Sequence, residues 1–360
     1  MEEFAFRTRI VIGSGSIAAL KELDAQRLFL VTEPCFSENG MAQKVVEAAG
    51  SRKTEVFDAV PPEPTATLAA EITAKCRSFQ PDLVAALGGG NALDCGKAAL
   101  YFGGLDVPFA AIPTFFGSGS QVTAQAVLTH GNTRYTFHSP RLQPALAILD
   151  EDFLLQQPPA RIGEAGFELL SCAIESYTAR NAGVIPSIFA REAFRTAYAC
   201  LPAFFGGDAS LRARLVLAST LAGMAYGPTG LGLCHAMAHA LGAKFPVSQG
   251  RLKAILLPAV VASNAQTAGS RYAQLSRFGG LGGSCDAVAV RNLKSGLTRL
   301  RRDLGLPRTL SQAGISPGSL WSQTGDIVAA VLKDPCCKTN PLEVEDFQIR
   351  RILEEVTGEG

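Results

Sequence analysis

The chain has 360 residues, 47% of them hydrophobic, and its 33 Lys and Arg against 32 Asp and Glu give a net charge of +1. So even a balance gives no electrostatic hold on nucleic acid or an anionic membrane, and small molecules or like subunits are the expected partners. The length exceeds the roughly 100 to 200 residues usual for one domain, so two domains are expected.

In chain order, the N-terminal MEEFAFRTRIVIGSG begins acidic and has neither a basic nor an apolar signal region, so no ordinary secretory signal is expected. Six short apolar runs follow, separated by helical stretches: RIVIG, RLFLVTEP, KTEVFD, DLVAALGGG, VPFAAIPTF and PALAILD. Runs such as LFLV and LVAAL, apolar without alternation, suit strands buried on both faces of a parallel sheet. Residues 1–157 therefore read as a doubly wound α/β domain, with a linker near Pro158 and Pro159. From there to residue 360 the text is Ala/Leu-rich helical pattern, including EAGFELLSCAIESYTAR, LRARLVLASTLAGMAY and DAVAVRNLKSGLTRLRRDLG, and an all-α domain is expected. Apolar runs such as AILLPAVVA are too short to span a bilayer. Nine cysteines, odd in number and without a C-x-x-C repeat, predict reduced thiols in the cytoplasm.

The sharpest local feature is LVAALGGGNALDCGKAAL, where Gly88, Gly89 and Gly90 follow a predicted strand and open a helix. Glycines at such a turn let backbone N–H groups approach a phosphate, and the helix dipole favours the negative charge. A plain glycine turn is the alternative. The loop IPTFFGSGSQVT again follows a strand and offers hydroxyls to phosphate or ribose. Glu33, at the end of RLFLVTEP, can accept from a ribose 2′-hydroxyl and repel a 2′-phosphate, which favours NAD over NADP; an acidic residue starting a helix reads equally well. Further on, His235 and His239 share one helix face, as do Glu168 and Cys172. Two such helices side by side would gather a carboxylate, a thiolate and an imidazole, which zinc accepts; buried packing residues are the competing reading.

These segments resemble the iron-containing (group III) alcohol dehydrogenase family along essentially the whole chain. GGGNALDCGKA is similar to that family's GGGS-x-x-D-x-x-K signature, and IPTFFGSGSQVT to its IPTT-x-G-T-G-S-E-V-T loop; ELLSCAIESY, LAGMAYGPTGLGLCHAMAHALG and DPCCKTNP match in the same order. The subgroup it most resembles is the short propanol and ethanol dehydrogenases associated with bacterial microcompartments. The resemblance implies the dehydroquinate synthase-like architecture, an N-terminal NAD-binding α/β domain and an α-helical C-terminal domain carrying a divalent metal, with the cofactor between them and a homo-oligomeric assembly. By position it assigns Glu33, Gly89, Gly90, Asn91, Asp94, Thr114, Phe115, Ser118, Ser120, Thr123 and Arg134 to the cofactor. His239 matches a family histidine near the nicotinamide and is the expected catalytic residue.

At the metal site the chain departs from the family. The motif D-x-x-x-H-A-I-E runs here from Glu168 to Glu175, so the Asp ligand is Glu168 and a His ligand is Cys172. His235 is retained, whereas the histidine of a Pro-His-Gly context is Gln249. A thiolate would shift preference from iron toward zinc. Phe115 and Phe116, where small residues are usual, and Gln121 for Glu imply a reshaped pocket. Three functions stay open: a metal-dependent NAD(H) oxidoreductase of a short primary alcohol and its aldehyde, a metal-independent reductase of the same fold, and an NAD-binding homologue without the chemistry.

Overall fold

The computed structural model describes residues 4–358 apart from Glu63 and Asn132. The chain packs as two compact units, one of residues 5–156 and one from Gln157 onward with Phe4.

The N-terminal unit contains strands β1 (Arg9–Ile12), β2 (Arg27–Thr32), β3 (Lys53–Phe57), β4 (Leu83–Gly88), β5 (Phe109–Pro113), β6 (Gln125–His130), β7 (Thr133–His138) and β8 (Leu146–Leu149). Its helices are α1 (Pro34–Glu38), α2 (Met41–Ala49), α3 (Ala66–Phe79) and α4 (Gly90–Gly103). Six strands form one parallel sheet in the order β1-β8-β5-β4-β2-β3. These are the six apolar runs of the sequence, and the reason for their continuous apolarity is visible in the packing. Phe29, Val31, Val84 and Ala86 enter one core with Ile72, Leu93 and Leu100, while Leu28, Leu30, Ala85 and Leu87 enter another with Leu20, Phe36 and Val45. With both faces covered, no position in β2 or β4 can be polar without cost. The chain leaves β2 toward β3 and leaves β4 toward β5, so these neighbours form a topological switch point, where ligands of open α/β sheets bind. The antiparallel pair β6–β7 has no counterpart in the sequence expectation.

The C-terminal unit is helical, with no strand among its described residues. It comprises α5 (Pro159–Thr178), α6 (Val184–Phe205), α7 (Arg212–Thr229), α8 (Leu233–Gly242), α9 (Gln249–Phe278), α10 (Asp286–Asp303), α11 (Pro317–Ser322), α12 (Thr324–Lys333), α13 (Cys336–Thr339) and α14 (Asp346–Thr357). Two close approaches set its polar centre. Gly250, in the first turn of α9, lies so near the Glu164 backbone of α5 that any side chain would collide with it. One turn on, Lys253 of α9 therefore stands beside Glu168 of α5. Gly232, which precedes α8, likewise leaves room for the Glu175 carboxylate, since a Cβ there would come within 2.8 Å of Oε1. No helix among the described residues is long and apolar enough to cross a membrane.

Candidate active site

In the N-terminal unit, Gly88 ends β4 with φ of 149°, a backbone region that side chains disfavour, and a Cβ would lie 2.7 Å from Ala92 Cβ. Gly89, which precedes α4, makes no side-chain cap to this 14-residue helix, whose N-terminus favours an anion. Ser118 Oγ would be 2.8 Å from a Cβ on Gly90, so the second loop closes over the same turn. The cradle suits a pyrophosphate. Glu33 stands at the end of β2 beside it and accepts from Gly89 N–H at 3.2 Å. Asn91 donates to the Pro62 carbonyl, Thr114 N–H donates to Gly88 O at 3.2 Å, and Phe115 packs on Phe116 with ring centroids 4.3 Å apart.

Three residues expected to meet the cofactor are turned inward. Asp94 accepts from Ser120 Oγ at 2.6 Å and from Val127 N–H at 3.1 Å. Thr123 Oγ1 and Ser120 both serve Lys97, a fully buried cation whose Nζ donates to Ser120 O (2.6 Å), Ser120 Oγ (3.0 Å), Thr123 Oγ1 (3.2 Å) and Gln125 O (2.9 Å). Arg134 on β7 adds its charge to the surroundings of Asp94. Burial pushes the Lys97 ammonium down to about 8 against the pull of Asp94, and burial likewise raises Asp94. Asp94, Ser120 and Thr123 thus hold the loop in shape through Lys97, which the sequence reading did not single out.

In the C-terminal unit α5, α8 and α9 bring Glu168, Cys172 and His235 together, their ligand-type atoms within 4.8 Å of one another. His235 Nε2 is 3.5 Å from Cys172 Sγ and 4.0 Å from Glu168 Oε1. Its Nδ1 is hydrogen-bonded to Glu175 Oε2, and Glu175 Oε1 accepts from Cys234 N–H at 2.7 Å. Burial governs the charges here. It raises the Cys172 thiol, aided by Glu168; it holds His235 well below the usual imidazole range, aided by Lys253; and it pushes Glu175 up to about 7 against the Cys234 N–H.

Two residues decide whether a divalent ion suits this set. Lys253, fully buried, places Nζ 2.5 Å from Glu168 Oε1. Gln249 turns Nε2 to the Ala238 carbonyl at 3.0 Å, and its Oε1 is buried without a partner. Each unit of positive charge near 4 Å from an ammonium costs about 4 kcal/mol at an effective dielectric constant of 20, so a doubly charged ion faces about twice that. The one carboxylate of the set is already neutralised. The donors are close enough for a metal, but with Lys253 charged their balance does not fit one.

His239, one turn beyond His235, lies with ring centroids 6.1 Å apart and belongs to a different group. Its Nδ1–H donates to Asp334 Oδ2 at 2.9 Å, and Cys336 N–H donates to Asp334 Oδ1 at 2.8 Å. His239, Asp334 and Cys336 cluster within 4.8 Å. Burial pushes the Asp334 carboxyl up, but the hydrogen bond and charge of His239 and the Cys336 N–H prevail and hold it below the ordinary 3.8. A depressed carboxylate contributes stability above its unfolded value and loses it as pH falls through the folded one. Asp334→Asn should therefore be less stable than wild type by about 1 to 2 kcal/mol at pH 7, and the gap should close as the pH is taken below about 4. Urea unfolding at both pH values measures this; a gap that persists in acid would refute the ionic origin.

The sequence reading gave no role to Glu175, Asp334 and Cys336, which lie in the matched segments, and did not name Lys253. Glu175 was signalled by its place three residues after Cys172 on the same helix face, and Lys253 by its place four after Gln249; Asp334 opens the matched DPCCKTNP segment, but its pairing with His239, 95 residues away, has no local signal.

A family model described as "Iron-containing alcohol dehydrogenase" matches residues 7–151, and "Fe-containing alcohol dehydrogenase family, C-terminal" matches residues 163–357. The chain is 31% identical over 99% of its length to the whole of the 1-propanol dehydrogenase PduQ of Citrobacter freundii. Among solved structures, 1,3-propanediol oxidoreductase superposes with a TM-score of 0.92 at 26% identity, over 99% of this chain and 100% of that one. The iron-containing alcohol dehydrogenase of Thermococcus thioreducens gives 0.91 at 27% identity, over 98% and 99%. With both units matched and the relatives covered end to end, the chain belongs to the iron-containing alcohol dehydrogenase family of oxidoreductases.

Proposed function

We propose that the chain interconverts a short primary alcohol and its aldehyde with NAD(H). The observation that carries this reading is His239, its Nδ1 tied to Asp334 so that Nε2 is presented in one orientation. The glycine turn of β4 and the start of α4 would hold the pyrophosphate, with Ser118 closing the loop. Glu33 beside that turn disfavours an added 2′-phosphate by like charge. Bound NADH supplies a hydride. The chain handles the proton: as hydride reaches the carbonyl carbon, His239 Nε2–H gives its proton to the oxygen, and the Nδ1–H remaining on Asp334 keeps the tautomer fixed. The reverse direction removes that proton from the alcohol. Likeness to the 1-propanol dehydrogenase supports acetaldehyde- and propanal-sized substrates.

The test is NADH oxidation with acetaldehyde and propanal, using chelated protein beside zinc- and iron-supplemented samples. The expected result is turnover in the chelated sample, with NADH favoured over NADPH at least about tenfold by charge repulsion at Glu33. NADH binding without turnover under every condition would overturn the reading in favour of a cofactor-binding homologue.

A further inference from the structure

We propose that Lys253 is the resident cation of the polar centre, standing in for a divalent ion at Glu168. The inference deepens the reading above and rests on it only for the place of this centre in the reaction. A lysine with its side chain 2% exposed is rare unless paired, and Glu168 is its partner at 2.5 Å. The pair is built in by the backbone. Gly250 seats α9 against Glu164 of α5, which fixes the separation of Lys253 and Glu168 one turn on. The charge of Lys253 bears on Cys172, Glu175, Cys234 and His235, so one ammonium serves the whole cluster, as a metal would. Gln249 fits the same picture, its amide nitrogen serving the α8 backbone at Ala238. Lys253 is a positioning residue here: it holds and neutralises Glu168, whose side chain is 20% exposed and so faces the more open side of the cluster.

The test reads metal and stability and needs no turnover. Wild-type protein, purified and passed over a desalting column, should carry less than about a tenth of an equivalent of zinc or iron by elemental analysis, and neither chelator nor added zinc should move its Tm. Lys253→Ala leaves Glu168, a mostly covered carboxylate, without its cation, so its Tm should fall by roughly 5 to 10 °C. Zinc should bind this variant at about one equivalent and restore part of the loss, a response that a purely structural role for Lys253 would not produce. If Lys253→Ala is insoluble, Lys253→Met is read by the same zinc-dependent shift. One equivalent of metal retained by wild type, or a soluble variant with unchanged Tm and no zinc response, would overturn the proposal. Should the metal and stability results hold while no aldehyde is reduced, the oxidoreductase reading fails and the role of Lys253 stands.

Discussion

His239→Asn should lower kcat for aldehyde reduction by about 10² to 10⁴, the usual range for loss of a positioned general acid, while the Kd for NADH changes by less than about twofold. The binding half of this expectation follows from the fold, since the cradle formed by Gly88, Gly89, Gly90 and Ser118 belongs wholly to the N-terminal unit and His239 to the other. The rate half follows from orientation. His239 is an acid with one exit for its proton because Asp334 holds the other ring nitrogen at 2.9 Å. An asparagine keeps polarity and approximate size but cannot exchange a proton at neutral pH. Steady-state kinetics with propanal, beside a fluorescence titration of NADH, separates the two. A kcat within threefold of wild type would remove His239 from the chemistry.

How legible this arrangement was depended on whether the determining interaction lay within one element. The parallel strands were readable because a strand covered on both faces is apolar without alternation, as β2 is from Leu28 to Val31 and β4 from Leu83 to Leu87. The β6–β7 hairpin was not: in β6 the burial alternates, but Ala126, Val127 and Leu128 are apolar in a row, so the sequence lacks the alternation that marks a half-buried strand. Glu168 with Cys172, and His235 with His239, announced themselves by helical spacing, although the second pair separates in space into two groups: His235 joins Glu168 and Cys172, and His239 joins Asp334 and Cys336. Lys253 was illegible for a different reason. A lysine within a helix reads as solvent-facing, and only the contact of Gly250 with the Glu164 backbone, made between helices 85 residues apart at the resulting ion pair, turns it inward. The same applies to Asp94, Ser120 and Thr123. Their hydroxyls and carboxylate look made for a ligand until the position of Lys97 is known, and that position depends on how α4 packs beneath the loop.

Lys97→Met should destabilise the chain by about 3 to 5 kcal/mol and weaken NADH binding at least about tenfold. Methionine fills the volume but leaves the carbonyls of Ser120 and Gln125 and the hydroxyl of Thr123 without the donor that now satisfies them. Ser120 O keeps Thr123 N–H and Oγ1 as donors, and each hydrogen bond lost from the ammonium costs about 1.5 to 3 kcal/mol. Asp94 loses its compensating charge at the same time, and burial, which already raises it, then acts against a stranded carboxylate, which strains its hold on Ser120 Oγ and Val127 N–H. The loop from Thr114 to Thr123 is then no longer fixed over the glycine turn, so the loss reaches the cofactor although Lys97 itself is buried away from any ligand. The double variant Asp94→Asn/Lys97→Met should be less destabilised than the sum of the two single changes, because each alone strands the charge that the other removes. Urea unfolding of the three variants, with NADH titration of each, measures both effects. Additive losses, or a Lys97→Met variant within about 1 kcal/mol of wild type, would show that the loop is held by its own backbone and that the buried ammonium is dispensable.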